Sequence, residues 1–211
     1  MTDPVHALQS PPAAAGPLAG IGVLVTRPVR QAGPFAGRLA ALGAVPIVFP
    51  AVAILPPDDA APLRAAFAAL AGYDAAVFVS ANAVEHGLPP PGTWPQRLPA
   101  YAPGPGTAEA LAAAGIADVR MPTTSYDSEG LLALPELQAM TGRRVLVLRG
   151  DGGRELLAET LRARGAAVDC VACYRRARPT DGSGLIEAFA AGRVAAVTVT
   201  ASEGIDNLWA L

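Results

Sequence analysis

The chain repeats itself, and this repeat constrains the fold more than any other feature. Slid by 122 positions, Val23-Leu24-Val25-Thr26-Arg27 falls on Val145-Leu146-Val147-Leu148-Arg149, and Leu39 to Ala44 falls on Leu161 to Ala166. Nine of the 24 positions from 23 to 46 are identical without a gap. At an offset of 120, Ala75-Ala76-Val77-Phe78-Val79-Ser80 falls on Ala195-Ala196-Val197-Thr198-Val199-Thr200. Alanine richness inflates such matches, but it does not explain the coincidence of Arg27 with Arg149 or of Gly43 with Gly165.

Each matched block has a physical reading. Val23–Arg27 and Val145–Arg149 are short β-branched runs of the kind that become strands buried on both faces of a parallel sheet. An amphipathic helix follows each, with Phe35, Leu39 and Leu42 in one and Leu157 and Leu161 in the other. Gly43 and Gly165 stand where a helix end needs a residue tolerant of positive φ. The first copy continues as helix (59–71), strand (75–79), helix (81–87), strand (100–103), helix (106–114), strand (118–121) and helix (127–140). The second continues as helix (182–191) and strand (195–199) and begins one more helix. Strand–helix–strand order with short connections predicts an α/β fold with parallel sheets flanked by helices. The repeat also predicts that the second copy lacks its C-terminal part, since a counterpart of Tyr101–Pro122 would lie beyond Leu211.

Composition narrows the class. The formal net charge is −2, which argues against general nucleic-acid binding, and no apolar run reaches the length of a membrane helix. All 16 basic residues are arginine, whose guanidinium forks suit carboxylate or phosphate ligands, although codon bias explains the same preference. Two cysteines and two histidines make neither an ordinary zinc site nor a disulfide framework. Residues 1–19 are Pro/Ala-rich and read as a disordered arm with no secretory signal, which points to a cytoplasmic protein.

In open parallel sheets, ligands bind beyond the carboxyl ends of the strands, where helices begin. The segments there are alike: Thr26-Arg27-Pro28, Ser80-Ala81-Asn82, Gly104-Pro105-Gly106-Thr107, Arg149-Gly150-Asp151-Gly152-Gly153 and Thr200-Ala201-Ser202. Small, hydroxyl and glycine residues before a helix leave backbone N–H groups pointing into one space, which favours anions. Simple helix capping by Ser, Thr and Asn explains any one of these turns, whereas five on equivalent edges suggest an anion-binding cleft. Nucleotide motifs do not fit. Glu155 occupies the third glycine position of a G-x-G-x-x-G, and a chain without lysine has no Walker motif. Ser80 lacks the G-x-S-x-G elbow of a serine hydrolase. Cys170 and Cys173 lie three apart on a strand-like run and so face opposite sides, as structural thiols.

VLVTRP (23–28), FVSANAV (78–84), GPGTAEAL (104–111), SEGLL (128–132), VLVLRGDGGRELLAETLRARGAAV (145–168), CYRR (173–176) and TASEGIDNL (200–208) together resemble the uroporphyrinogen-III synthase family, in the family's order, from about residue 21 to 211. Val79, Pro103 and Ala201 depart from the family pattern, which has threonine, valine and serine there. The resemblance implies a monomeric, cofactor-free lyase of haem, sirohaem and cobalamin synthesis that needs no metal. Its substrate would be hydroxymethylbilane, a linear tetrapyrrole; water is lost, the last pyrrole ring is inverted through a spiro intermediate, and uroporphyrinogen III is closed.

The resemblance also implies two domains joined by a two-strand linker. One domain would comprise 20–45 with 178–211, incomplete at its C-terminal end; the other would be 54–168, with linker strands at 46–53 and 169–177. Carried onto these motifs, the substrate-binding residues are Thr26, Arg27, Ser80, Asn82, Gly104, Thr107, Arg149, Gly150, Thr200 and Ser202. Tyr174, a phenol at a strand end, is the candidate proton donor to the leaving hydroxyl. Two other readings stand beside this one: a two-domain binding protein for a small anionic ligand, and a truncated synthase without activity.

Overall fold

The β-branched runs of the repeat become parallel strands because each is apolar on both faces and must be covered twice. The computed structural model describes residues 16–211. In chain order its elements are β1 (Gly22–Val25), α1 (Val29–Ala41), β2 (Val45–Val48), β3 (Ala53–Leu55), α2 (Ala61–Ala68), β4 (Ala75–Phe78), α3 (Ala81–Gly87), β5 (Ala100–Tyr101), α4 (Pro105–Ala113), β6 (Val119–Arg120), α5 (Ser128–Ala133), β7 (Arg144–Gly150), α6 (Leu156–Ala163), β8 (Ala167–Ala177), α7 (Ser183–Ala190), β9 (Ala196–Thr198) and α8 (Ser202–Trp209). The chain divides into two units: Ile54–Arg176, and the segment ending at Ala53 taken with Ala177–Leu211. It crosses between units at β3 and at the end of β8, which are neighbours in one sheet. Val45–Val48, placed by the sequence partly in a connector, is a sheet strand of the discontinuous unit, and β8 stays paired in the other unit's sheet through Tyr174.

The discontinuous unit has a parallel sheet of order β2-β1-β9. Its two ends of sequence meet where Leu24 lies opposite Val197. Two hydroxyls stitch that junction: Thr26 Oγ1 donates to the Thr198 carbonyl at 2.6 Å, and Thr198 Oγ1 donates to the Leu24 carbonyl at 3.0 Å. β1 is buried along its whole length, whereas Val197, Ile186, Phe189, Ile205 and Trp209 are exposed. The arm expected over residues 1–19 lies outside the described residues as far as residue 15. From Gly16 the chain turns back on the end of α1, where Leu18 N–H donates to the Leu42 carbonyl at 3.0 Å.

The Ile54–Arg176 unit carries a six-stranded sheet of order β3-β8-β7-β4-β5-β6. Strand alternation divides its core. Ala76 and Phe78 of β4 and Leu146 and Leu148 of β7 pack with Leu63 and Ala66 of α2, Ala83 and Val84 of α3 and Leu111 of α4. Ala75, Val77, Val145 and Val147 pack on the other face with Leu131 and Leu132 of α5 and Leu157 and Leu161 of α6. Cys170 packs toward that second cluster and Cys173 belongs to the first, so the two thiols do face opposite sides.

The repeat recurs in the backbone. At the end of α1, Gly43 N–H donates to Ala40 and Ala44 N–H to Leu39; at the end of α6, Gly165 N–H donates to Arg162 and Ala166 N–H to Leu161. This is one Schellman motif made twice, with Gly43 at φ 89° and Gly165 at φ 92°. The helix expected over 127–140 is broken instead. Leu134 precedes Pro135 and adopts φ −62°, ψ 135°, because the proline ring disfavours helical backbone one residue earlier.

Thr26→Val removes a donor from a site only 4% exposed and leaves the Thr198 carbonyl short of a partner. The expected loss is about 1–2 kcal/mol, read as a fall in thermal midpoint of a few degrees; an unchanged midpoint contradicts this account of the junction. Asp74 accepts the Arg144 backbone N–H at 2.8 Å and Arg143 Nη1 at 2.9 Å, and these two bonds hold its carboxyl below the usual range. A depressed pKa contributes stability above the unfolded-state value, and the contribution is lost as pH falls through the folded one. Denaturant titrations of Asp74→Asn should therefore show a deficit at neutral pH that closes as pH drops below about 4; a deficit independent of pH contradicts the assignment.

Candidate active site

A cavity of about 360 Å³ opens at the carboxyl end of β7, wholly within the Ile54–Arg176 unit. Among the described residues its lining holds the cations Arg149, Arg154 and Arg176 and no carboxylate. The turn after β7 supplies Gly150, Gly152 and Gly153; α5 supplies Ser128; Val147 and Leu157 form an apolar wall. The turn is anchored to β8 from both sides, with Asp151 N–H donating to the Tyr174 carbonyl at 2.9 Å and Asp151 Oδ1 accepting Arg176 N–H at 3.1 Å. Asp127 accepts Gly130 N–H at 2.7 Å, which starts α5 and sets Ser128 at the rim.

The arginines are held but not neutralised deep in the protein. Arg149 Nη1 meets Glu155 Oε1 at 2.8 Å and its Nε donates to the Gly152 carbonyl at 3.2 Å; Arg154 Nη1 meets Glu129 Oε1 at 3.0 Å. Both carboxylates are half-exposed and Arg154 is largely so, so the Arg154–Glu129 pair stabilises the fold little, whereas the Arg149 side chain is only 11% exposed.

Tyr174 reaches this place through a defect in the β7–β8 ladder. Arg149 lies opposite Ala172 but Gly150 lies opposite Tyr174, so Cys173 is an extra residue. On a regular strand Cys173 and Tyr174 would face opposite sides; the bulge turns both into one core cluster, each 1% exposed. The Tyr174 ring then lies directly on Gly150. A Cβ at 150 would stand 2.8 Å from ring atoms Cε2 and Cζ, which leaves room for glycine alone. The phenol oxygen is 3.2 Å from Ser80 Oγ, and Ser80 also caps α3 by accepting Ala83 N–H at 3.1 Å. Burial pushes the Cys173 thiol up to about 12, so it is neutral at physiological pH and a packing group.

The structure brings Arg149, Gly150, Tyr174 and Ser80 together. Asn82 lies in the first turn of the helix that Ser80 caps. Gly104 caps α4 with extended backbone and packs against Tyr126, and Thr107 is buried in the first turn of that helix; neither lines the cavity. In the discontinuous unit, Thr26 spends its hydroxyl on Thr198, and the Arg27 guanidinium sits 5.0 Å over the Phe35 ring. Thr200 and Ser202 are exposed at the start of α8, whose cap is Ala201. Among the five turns, a side chain caps the helix only at Ser80. Ser128 and Arg154 were not named as binding residues by sequence reasoning. SEGLL (128–132) contains Ser128 and the 145–168 motif contains Arg154, but nothing in the spacing placed Ser128 beside the β7 turn.

A family profile described as Uroporphyrinogen-III synthase HemD matches residues 33–211. The chain is 38% identical over 196 residues to the uroporphyrinogen-III synthase of Salmonella typhimurium, covering 90% of this chain and 80% of that one. It is 39% identical over 197 residues to that of Escherichia coli, with the same coverage. The crystal structure of a mutant uroporphyrinogen III synthase from the extremely thermophilic bacterium Thermus thermophilus has a TM-score of 0.59 at 25% identity, over 90% of this chain and 76% of that one. The chain therefore belongs to the uroporphyrinogen-III synthase family.

Proposed function

We propose that this protein closes hydroxymethylbilane to uroporphyrinogen III, and that the cavity at the end of β7 holds carboxylates of the tetrapyrrole. The observation that carries this reading is the lining itself: three arginines and a glycine turn, with no acid among the described lining residues, in a chain that matches the synthase family over 33–211. Backbone N–H groups and guanidinium forks bind carboxylates without a buried fixed ion pair.

The chemistry asks little base catalysis of the protein. The carbon–oxygen bond of the hydroxymethyl group breaks with its electrons going to oxygen, a proton joins that oxygen, and water leaves. An azafulvene cation remains, which the substituted carbon of the last ring attacks to give the spiro intermediate. That carbon's bond to its old methylene bridge then breaks, the freed methylene bonds to the ring's unsubstituted α-carbon, and loss of the proton there completes uroporphyrinogen III. Holding the bilane so that this hindered carbon attacks first is an orientation effect. The hydroxyl pair Tyr174–Ser80 assists departure of the hydroxyl by hydrogen bonding. Thr26, Arg27, Asn82, Gly104, Thr107, Thr200 and Ser202 belong to the proposed substrate-binding set through their matched motifs alone. The reading takes the enzyme as a cytoplasmic monomer, as the family resemblance implies.

The test is to supply hydroxymethylbilane and separate the product isomers. Type III uroporphyrinogen supports the reading; type I alone, the product of uncatalysed closure, supports a binding protein or an inactive chain. Tyr174→Phe should slow ring closure by about 3–10-fold, the loss of one hydrogen bond. Gly150→Ala should slow it at least as much and also lower the thermal midpoint, because the added Cβ displaces the Tyr174 ring. Wild-type rates in both variants would remove Tyr174 from the mechanism.

A further inference from the structure

We propose that Arg149 is a positioning residue: it fixes the orientation of the Gly152–Gly153 peptide, so that the Gly153 N–H is presented to a carboxylate of the tetrapyrrole. The inference rests on the synthase reading and deepens it, by giving the arginine of the repeat a role behind the substrate contact. Arg149 Nε donates to the Gly152 carbonyl at 3.2 Å, and Nη1 is braced on Glu155 Oε1 at 2.8 Å. Its side chain is 11% exposed, so the guanidinium is enclosed by the turn that follows it. In a trans peptide the C=O and the next N–H point in opposite directions. Holding the Gly152 oxygen therefore turns the Gly153 N–H away from the guanidinium. Gly152 and Gly153 both line the cavity, and neither N–H has an acceptor in the chain among the described residues.

The turn needs such a clamp. Gly152 and Gly153 sit at φ 75° and 112°, and without a Cβ on either side a Gly–Gly peptide rotates with little steric resistance. The flipped orientation would offer the Gly152 carbonyl, a partial negative charge, to an anionic ligand. A hydrogen bond from a charged donor biases two such orientations by about 10–100-fold. The other copy of the repeat supplies the contrast. There the residue after Arg27 is Pro28, whose ring fixes φ (−48° here) and which has no N–H to aim. Arg27 is not spent on that turn; its guanidinium lies over the Phe35 ring of α1 at 5.0 Å. The matched arginine clamps the turn only where the turn is glycine.

Heteronuclear NMR of Arg149→Lys tests this. Lysine keeps the positive charge and loses the Nε donor. Without ligand, we expect the Gly152 carbonyl and Gly153 amide resonances to move, and the Gly153 amide to broaden as the peptide samples both orientations. With uroporphyrin III as the probe, the dissociation constant should rise about 5–20-fold, and in turnover the loss should fall on KM, with kcat within about twofold. Glu155→Gln, which frees Nη1 but leaves Nε on the carbonyl, should lose less than Arg149→Lys in both readouts. Ligand-free Gly152 and Gly153 resonances that Arg149→Lys leaves unchanged overturn the clamp. Moved resonances with unchanged porphyrin affinity overturn its part in binding. A wild-type protein that binds no uroporphyrin overturns the reading of the cavity as a tetrapyrrole site, and the ligand-free spectra alone then decide on the clamp.

Discussion

One close approach organises the site: the Tyr174 ring on the backbone of Gly150. It exists because β8 carries an extra residue at Cys173, and the bulge converts a strand end that would alternate into two consecutive inward side chains. From it follow the depth of the phenol, its bond to Ser80, and the anchoring of Asp151 to the Tyr174 carbonyl that shapes the glycine turn. The packing supports it from behind. A Cβ at Gly87 would meet Cys173 Sγ at 2.9 Å, so the end of α3 also closes on the bulge.

Around that fixed point the electrostatics are exchangeable. Arg154 is parked on the half-exposed Glu129, a surface pair that costs little to release, while Arg149 is largely buried against the half-exposed Glu155. A polycarboxylate can replace those glutamates without the protein burying an unpaired charge. On the proposed reading, the hydroxyls fix where the reacting group sits and the ion pairs accommodate a large anion.

Much of this was legible before any coordinates. The repeat predicted the strands, the parallel order, and the matched helix ends at Gly43 and Gly165, because buried strands and Schellman motifs leave strong local signals. The break at Leu134 was also local, and Pro135 could have revealed it. The bulge was not legible, since Val168 to Tyr174 reads as a regular alternation and the extra residue shows only against β7. The same blindness hid Ser128, whose place beside the β7 turn depends on tertiary packing. Thr26 shows what a motif leaves out: its hydroxyl donates to the Thr198 carbonyl across the β1–β9 junction, a long-range partner that no local signal announces.

The central claim is that the carboxyl end of β7 grips the polycarboxylate. The most direct measurement is an amide NMR titration of the protein with uroporphyrin III. The account predicts that shifts concentrate at Gly150, Gly152, Gly153 and the Arg149, Arg154 and Arg176 side chains. A rival cavity of about 310 Å³ lies around Tyr101, Arg120 and Arg143, where arginines are also present. Shifts centred there, with the glycine turn unmoved, would contradict it.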